Sequence, residues 1–184
     1  MKYLIPVFLL IASAVANAQT NVNFGIKAGV NLANYNDDAN TSSSRTSFHG
    51  GAFANFKITP NWAFQPELVY SMQGAKFIDS TLKTSYLHVP LVLQFLFTSN
   101  FRLQTGVQVG WLTLAEVEKS GGNVDRKSVF NSTDVSLLVG GGILFTERLG
   151  VDARFNFGLN DARSDNLEIK NRVWQIGAYY QLFK

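Results

Sequence analysis

Apolar and polar residues alternate along most of this chain, and the alternation has a period of two. In residues 149–160, Leu149, Val151, Ala153, Phe155, Phe157 and Leu159 share one side. Gly150, Asp152, Arg154, Asn156, Gly158 and Asn160 share the other. Successive side chains of a β-strand point to opposite faces, so such a stretch predicts a strand with one greasy and one polar side. Seven further stretches read the same way: about 22–33, 48–58, 62–73, 85–97, 101–114, 134–145 and 171–182. A soluble barrel buries the greasy face inward. A membrane barrel turns it toward lipid and keeps charge in the lumen.

The connections alternate long and short. Polar loops cover 34–47, 74–84, 115–133 and 161–170, and tight turns fall at Thr59-Pro60-Asn61, Thr98-Ser99-Asn100 and Thr146-Glu147-Arg148. Antiparallel neighbours joined in this way need no crossover helices. The expected fold is therefore all-β: a closed, eight-stranded, antiparallel up-and-down transmembrane barrel. Its turns lie at one end with both chain termini, and its loops lie at the other. No tandem repeat beyond the hairpin itself is visible.

The polar face decides between the two kinds of barrel. It is rich in Gly, Gln, Asn and Ser and poor in charge. Glycine weakens a strand and packs nothing, so a water-exposed face has little use for so many. An eight-stranded lumen holds side chains and little else, and there glycines make space for longer polar neighbours. Charges in such a lumen must find partners, because an unpaired buried charge is costly. The expected lumen network comprises Lys27, Lys57, Glu67, Gln94, Arg102, Gln104, Asp152 and Arg154, with Glu67 and Asp152 paired to the cations. The aromatic residues fit two interfacial girdles. Phe56, Trp62, Phe64, Phe95, Phe97, Phe101, Phe145, Tyr180 and Phe183 fall near the short turns, and Tyr70, Tyr86, Trp111 and Trp174 toward the loops.

Residues 1–18 read as a secretory signal peptide. Lys2 supplies the positive start, Tyr3 to Val15 the apolar core, and Ala16-Asn17-Ala18 a small-x-small cleavage site. The apolar run is shorter than the roughly 20 residues of a spanning helix. Cleavage leaves residues 19–184 as one barrel domain. There is no Cys, so neither a disulfide nor a lipidation site follows the leader. The net charge of +3 is too small to argue for nucleic acid. A mean hydropathy of +0.04 fits a barrel whose alternation averages out.

The segments Gly25-Ile26-Lys27-Ala28-Gly29-Val30-Asn31-Leu32, Tyr86-Leu87-His88-Val89-Pro90-Leu91, Val151-Asp152-Ala153-Arg154-Phe155-Asn156-Phe157-Gly158-Leu159 and Gly177-Ala178-Tyr179-Tyr180 follow one another in order. In that order and spacing, over the whole mature chain, the sequence resembles the outer membrane β-barrel (porin-family) proteins of Gram-negative bacteria. It is similar in architecture to the OmpX and OmpA barrels. The resemblance implies a place in the bacterial outer membrane, with outer-membrane lipid around the barrel and the barrel-assembly machinery as a partner during insertion. It implies periplasmic N- and C-termini, and no reaction and no catalytic residues. The insertion signal of this family is a last strand ending on an aromatic residue. Here the chain ends Leu182-Phe183-Lys184, so Leu182 or Phe183 takes that part.

Candidate chemistry is sparse. Ser47 and His49 resemble a hydrolytic pair, but their shared parity faces them into the lumen, away from acyl chains. His88 reads as a lumen hydrogen-bonding residue. Two His and no Cys argue against a transition-metal site. Asn36-Asp37-Asp38-Ala39-Asn40 matches a Ca²⁺ loop in composition but lacks the distal Glu. Gly140-Gly141-Gly142 lies inside a strand without the Lys-Ser/Thr tail of a phosphate loop. No enzyme, cofactor or metal is expected. The expected role is structural and interactive, with four outer loops meeting an extracellular ligand or surface. The alternatives are a narrow pore for small solutes or ions and a soluble periplasmic lipocalin-like carrier.

Overall fold

The computed structural model describes residues 22–36, 43–77, 79–119, 122–161 and 170–182. The expected leader (1–18), Phe183 and most of the Asn36–Asn40 segment lie outside them. Among the described residues nine strands form: β1 Val22–Asn36, β2 Ser43–Lys57, β3 Trp62–Phe77, β4 Ser80–Leu96, β5 Phe101–Lys119, β6 Gly122–Asp125, β7 Thr133–Leu144, β8 Leu149–Gly158 and β9 Lys170–Gln181. Eight of them close a ring, with β1 paired to both β2 and β9 and β4 paired to β5. All pairings are antiparallel. The short β6 pairs with the far end of β5 and stands outside the ring.

The faces fall as the alternation requires of a membrane barrel. Phe24, Ile26, Val30, Leu68, Leu91, Val107, Val139, Trp174 and Ile176 are exposed on the outer wall. Lys27, Asn31, Glu67, Gln94, Asp152 and Arg154 are buried inside. A soluble carrier requires the reverse, and that alternative is thereby removed. Hydrocarbon offers no hydrogen bonds, so every backbone amide within it must be paired by a neighbouring strand, and a closed ring pairs them all.

Three expectations need correction, and a fourth gains detail. First, the strands run well past the apolar stretches. Crossing the bilayer takes about 9–11 tilted residues, and β5 has 19 and β4 has 17. The expected loop 74–84 shrinks to the link between Phe77 and Ser80, and the first half of the expected loop 115–133 is the β5–β6 hairpin. Once a strand leaves lipid its outer face no longer has to be apolar, so alternation fades while the backbone ladder continues. Lys83 and Glu118, on these extensions, form an exposed ion pair at 2.8 Å.

Second, Tyr86 belongs to no girdle. It is 1% exposed and stacks inside the barrel on His88, ring centroids 5.4 Å apart. Third, a bulge shifts the pairing of β5: Leu112 faces Tyr86 and Leu114 faces Ser85, leaving Thr113 as the extra residue. Beyond it Ala115 and Val117 turn inward. Ala75, Leu82, Tyr86, Leu112, Ala115 and Phe130 then form a small apolar core, joined by Val117 and Val129. Phe130 arrives on the connection that follows a 3-10 turn at Lys127–Val129. The lumen is thus apolar toward the loop end, which a strictly polar inner face does not anticipate.

Fourth, the three short turns are one repeated device. In Ile58–Trp62, Phe97–Phe101 and Phe145–Leu149 the Thr hydroxyl accepts from the amides two and three residues on, at 3.0–3.3 Å, 2.9–3.3 Å and 2.9–3.3 Å. Such hydroxyl-capped turns replace a backbone bond with a side-chain one. Their fourth-position carbonyls, on Asn61, Asn100 and Arg148, accept from Leu96, Leu144 and Gln181 at 2.7–2.9 Å. Leu182 N–H donates to the Phe24 carbonyl at 2.7 Å. Each turn is therefore bonded to the following hairpin, and the last bond closes the rim. The girdle runs just above, with Trp62, Phe95, Phe97 and Phe101 in successive ring contact at 5.0, 5.8 and 6.5 Å.

Depth dependence follows from this placement. Leu91→Arg and Val107→Arg, on facing positions of β4 and β5, should each cost roughly 2–4 kcal/mol in urea unfolding from lipid vesicles. Ile58→Arg, at the turn rim, should cost about 0–1 kcal/mol. Equal costs at the two depths would overturn the membrane placement.

Candidate functional site

Polar side chains on the inner face have no solvent beyond a narrow lumen, so they must satisfy one another. At mid-barrel they do so through charge. Glu67 on β3 receives the Arg154 fork from β8, with Nη1 to Oε2 at 2.8 Å and Nη2 to Oε1 at 2.7 Å. Lys27 on β1 donates to Asp152 at 2.8 Å and lies 3.6 Å from Glu67. Arg154 Nη2 is 3.3 Å from Asp152. Two cations and two carboxylates thus balance, none more than 4% exposed. A planar guanidinium matches a carboxylate with two parallel bonds, which fixes orientation as well as charge.

Amides extend the cluster to the remaining wall. Arg154 Nε donates to Gln104 on β5 at 2.6 Å, and Gln65 donates to Glu67 at 2.7 Å. Asn55 on β2 donates to Gln65 and to Gln94 on β4, both at 2.9 Å. Of the residues expected in the lumen network, Lys27, Glu67, Gln94, Gln104, Asp152 and Arg154 are brought together. Arg102 lies inside but outside the ion pairs, its guanidinium carbon 4.9 Å from the centroid of the Tyr179 ring. Lys57 is the exception: it is exposed at the turn-end mouth and joins no ion pair among the described residues. Its parity is right but its depth is not, because strand parity carries no information on depth.

Two smaller networks lie on the loop side. Asn31 donates to Ser71 at 3.0 Å, and its side-chain oxygen meets His49 Nδ1 at 2.7 Å. Gln73 bridges Ser71 and His88, both at 3.2 Å. Asp134 accepts from Ser136 and Asn171, both at 2.7 Å, tying β7 to β9. Ser47 donates to the Met72 carbonyl at 2.7 Å and makes no hydrogen bond with His49. The pair singled out from the sequence is therefore not coupled. Asn31, Asn55, Gln65, Gln73 and Tyr179 are lumen members that a search for charges passes over; their inward parity is the available signal.

Glycines fit around the larger groups. A Cβ on Gly150 would collide with the Tyr179 hydroxyl, one on Gly110 with the His88 ring, and one on Gly25 with the Phe53 ring. The space made by glycine therefore serves inward rings as much as long polar chains. At the turn end the lumen opens into a vestibule of about 820 Å³, whose lining includes Lys57, Arg102 and Gln181.

An inward ionic centre, an outward apolar wall and a closed ring are the features of a small outer-membrane barrel. The model of the outer membrane protein beta-barrel domain matches residues 17–163. The chain belongs to that family. No curated relative matches the sequence. Among solved structures it is similar to Ail, the attachment invasion locus protein of Yersinia pestis, with a TM-score of 0.60 at 15% identity, over 89% of this chain and all of that one. It is also similar to Neisserial surface protein A, with a TM-score of 0.62 at 14% identity and the same coverage. A second Ail structure, in complex with the heparin analogue sucrose octasulfate, has a TM-score of 0.55 at 14% identity, over 89% of this chain and all of that one. At these identities the likeness is one of fold. The barrel is thus a protein of the bacterial outer membrane.

Removing one member of the ionic cluster strands the others. Glu67→Gln or Arg154→Met should each cost about 3–5 kcal/mol in vesicle unfolding, and the double change to apolar residues, Glu67→Leu with Arg154→Met, should cost less than the sum. Single costs below about 1 kcal/mol would show that water, not the partner, solvates these charges.

Proposed function

We propose that this barrel is a surface-display protein whose lumen is closed by side chains and whose outer strands and connections meet an extracellular ligand or surface. The observation that carries this reading is the ionic cluster at mid-barrel, where Lys27, Glu67, Asp152 and Arg154 meet across the lumen at 2.7–3.6 Å. With Phe130 and its apolar neighbours packed toward the loop end, the interior serves to hold the wall together. Function then falls to the ends.

The loop end supplies a platform. β3, β4 and β5 project beyond the apolar belt and are joined there by β6. Exposed Lys76, Glu118, Asp125, Arg126 and Lys127 decorate this platform. Its mixed charge suits a polar ligand or another cell's surface more than nucleic acid. The complex of Ail with a heparin analogue supports a ligand-binding use of such a barrel. In this reading the longer connections face outward and both termini lie in the periplasm. The barrel carries out no catalysis. Outer-membrane lipid is its solvent, and the barrel-assembly machinery inserts it.

Trypsin added to intact cells should cut at Arg126 or Lys127, while a tag after Lys184 stays protected until the cells are opened. A protected platform with an accessible tag would reverse the orientation. In planar bilayers the purified barrel should pass no steady current, and discrete long-lived openings would replace the display reading with that of a narrow pore.

A further inference from the structure

The vestibule at the turn end contains a buried cation that forms no ion pair among the described residues. Arg102, on the second residue of β5, is 4% exposed and lines this cavity. Its Nε has no hydrogen-bond partner. Among the described residues no carboxylate forms an ion pair with it, and its contact is the face of Tyr179. Glu67 and Asp152 are engaged by Lys27 and Arg154. The mid-barrel cluster is already neutral, and the remaining buried lumen carboxylate, Asp134, is bonded to Ser136 and Asn171 on the loop side, so Arg102 is an unpaired positive charge placed just inside an open mouth.

The rest of the lining suits an anion. Lys57 is exposed on the same cavity and joins no ion pair there, and Gln181 and Asn23 add amide groups. Glu147 is the acidic residue of the rim and is engaged in an interaction of its own. Leaving the Nε–H of a buried guanidinium without an acceptor is costly. An oxyanion entering from the turn side converts that cost into charge-assisted hydrogen bonds. We propose that the vestibule is a binding site for an oxyanion, the carboxylate or phosphate group of a small solute, held by Arg102 at its base and Lys57 at its mouth. With the orientation proposed above, the solute is periplasmic; the site itself does not depend on that orientation. The tyrosine face holds the guanidinium plane in place, and Gly150 leaves room for the Tyr179 ring. The competing acceptors within the protein are Asp152, whose Oδ1 is also without a partner, and the Tyr179 hydroxyl, likewise without one.

The test is side-chain NMR of the full-length folded chain in detergent micelles, with the Arg102 Nε–H signal assigned by Arg102→Gln. Inorganic phosphate and acetate are titrated separately at constant ionic strength against chloride. The expected result is a saturable shift of that signal with at least one of the two, and the stronger binder identifies the ligand group. Lys57→Ala, an exposed change that leaves the wall intact, should raise the half-saturating concentration about two- to fivefold, on the scale of one surface charge contact. Lys83→Ala, in the exposed pair at the loop end, should change nothing. An Arg102 signal that moves no more than those of the other arginines with either anion would overturn the site. A Lys57→Ala titration matching the unaltered protein would overturn it as well.

Discussion

Hydrocarbon neither accepts nor donates a hydrogen bond, and that single property dictates this architecture. It forces the backbone to close on itself, since an open sheet edge in lipid would leave a row of unpaired amides. It sends Phe, Leu, Val and Ile outward, where a soluble protein would bury them. The polar inward positions at mid-barrel are then confined to a space too narrow for bulk water, so those groups have to satisfy one another. The Glu67–Arg154 fork and the Lys27–Asp152 pair follow from the solvent on the other side of the wall. Their role is specification as much as stabilisation. A charge reaching across from β8 to β3 fixes which residues face each other, and a register slipped by one would put Arg154 in lipid.

The interior is graded along its axis. The loop end holds the apolar core around Phe130, the middle holds a neutral ion cluster, and the turn end holds an open, net-cationic mouth. The gradient reflects the medium outside as well. Beyond the lipid the long strands no longer need alternation on their outer face, so charged residues appear there, and a bulge at Thr113 brings Ala115 and Val117 inward to the apolar core. At the opposite end the capped turns pull the chain back sharply, which leaves the lumen short of residues and therefore open.

The fold is legible in the sequence because one period governs it. Alternation in residues such as Leu149 to Leu159 fixes strand, face and medium together, and the long–short rhythm of connections fixes the meander. What the pattern does not contain is depth and length. Lys57 and Arg154 share an inward parity, yet one is exposed at the mouth and the other is buried at the centre. Tyr86 sits where a girdle residue would be expected in sequence, but its even position points it inward onto His88. Strand ends escape the pattern for a related reason: backbone ladders need no particular side chain, so β5 continues to Lys119 through residues that look like loop. The repeated Thr-capped turns are present in the sequence as three Thr residues at matching offsets. Each reads as a turn by itself, and only the common pattern of acceptors shows them to be one device.

A wall that is tied together at its centre has consequences for evolution of its ends. Because the charge cluster and the rim bonds hold the register, the loop-end platform can vary in composition without disturbing strand pairing. The turn-end mouth has less freedom. Its size is set by three tight turns bonded in series to the next hairpin, and its charge by Arg102, the lumen cation left over once the cluster is balanced. A buried arginine at the mouth, without an ion pair among the described residues, is costly in a protein that pairs its mid-barrel charges so closely. The stability lost there is what a ligand would restore, and in this barrel the mouth beside Arg102 is where the lumen has room to receive one.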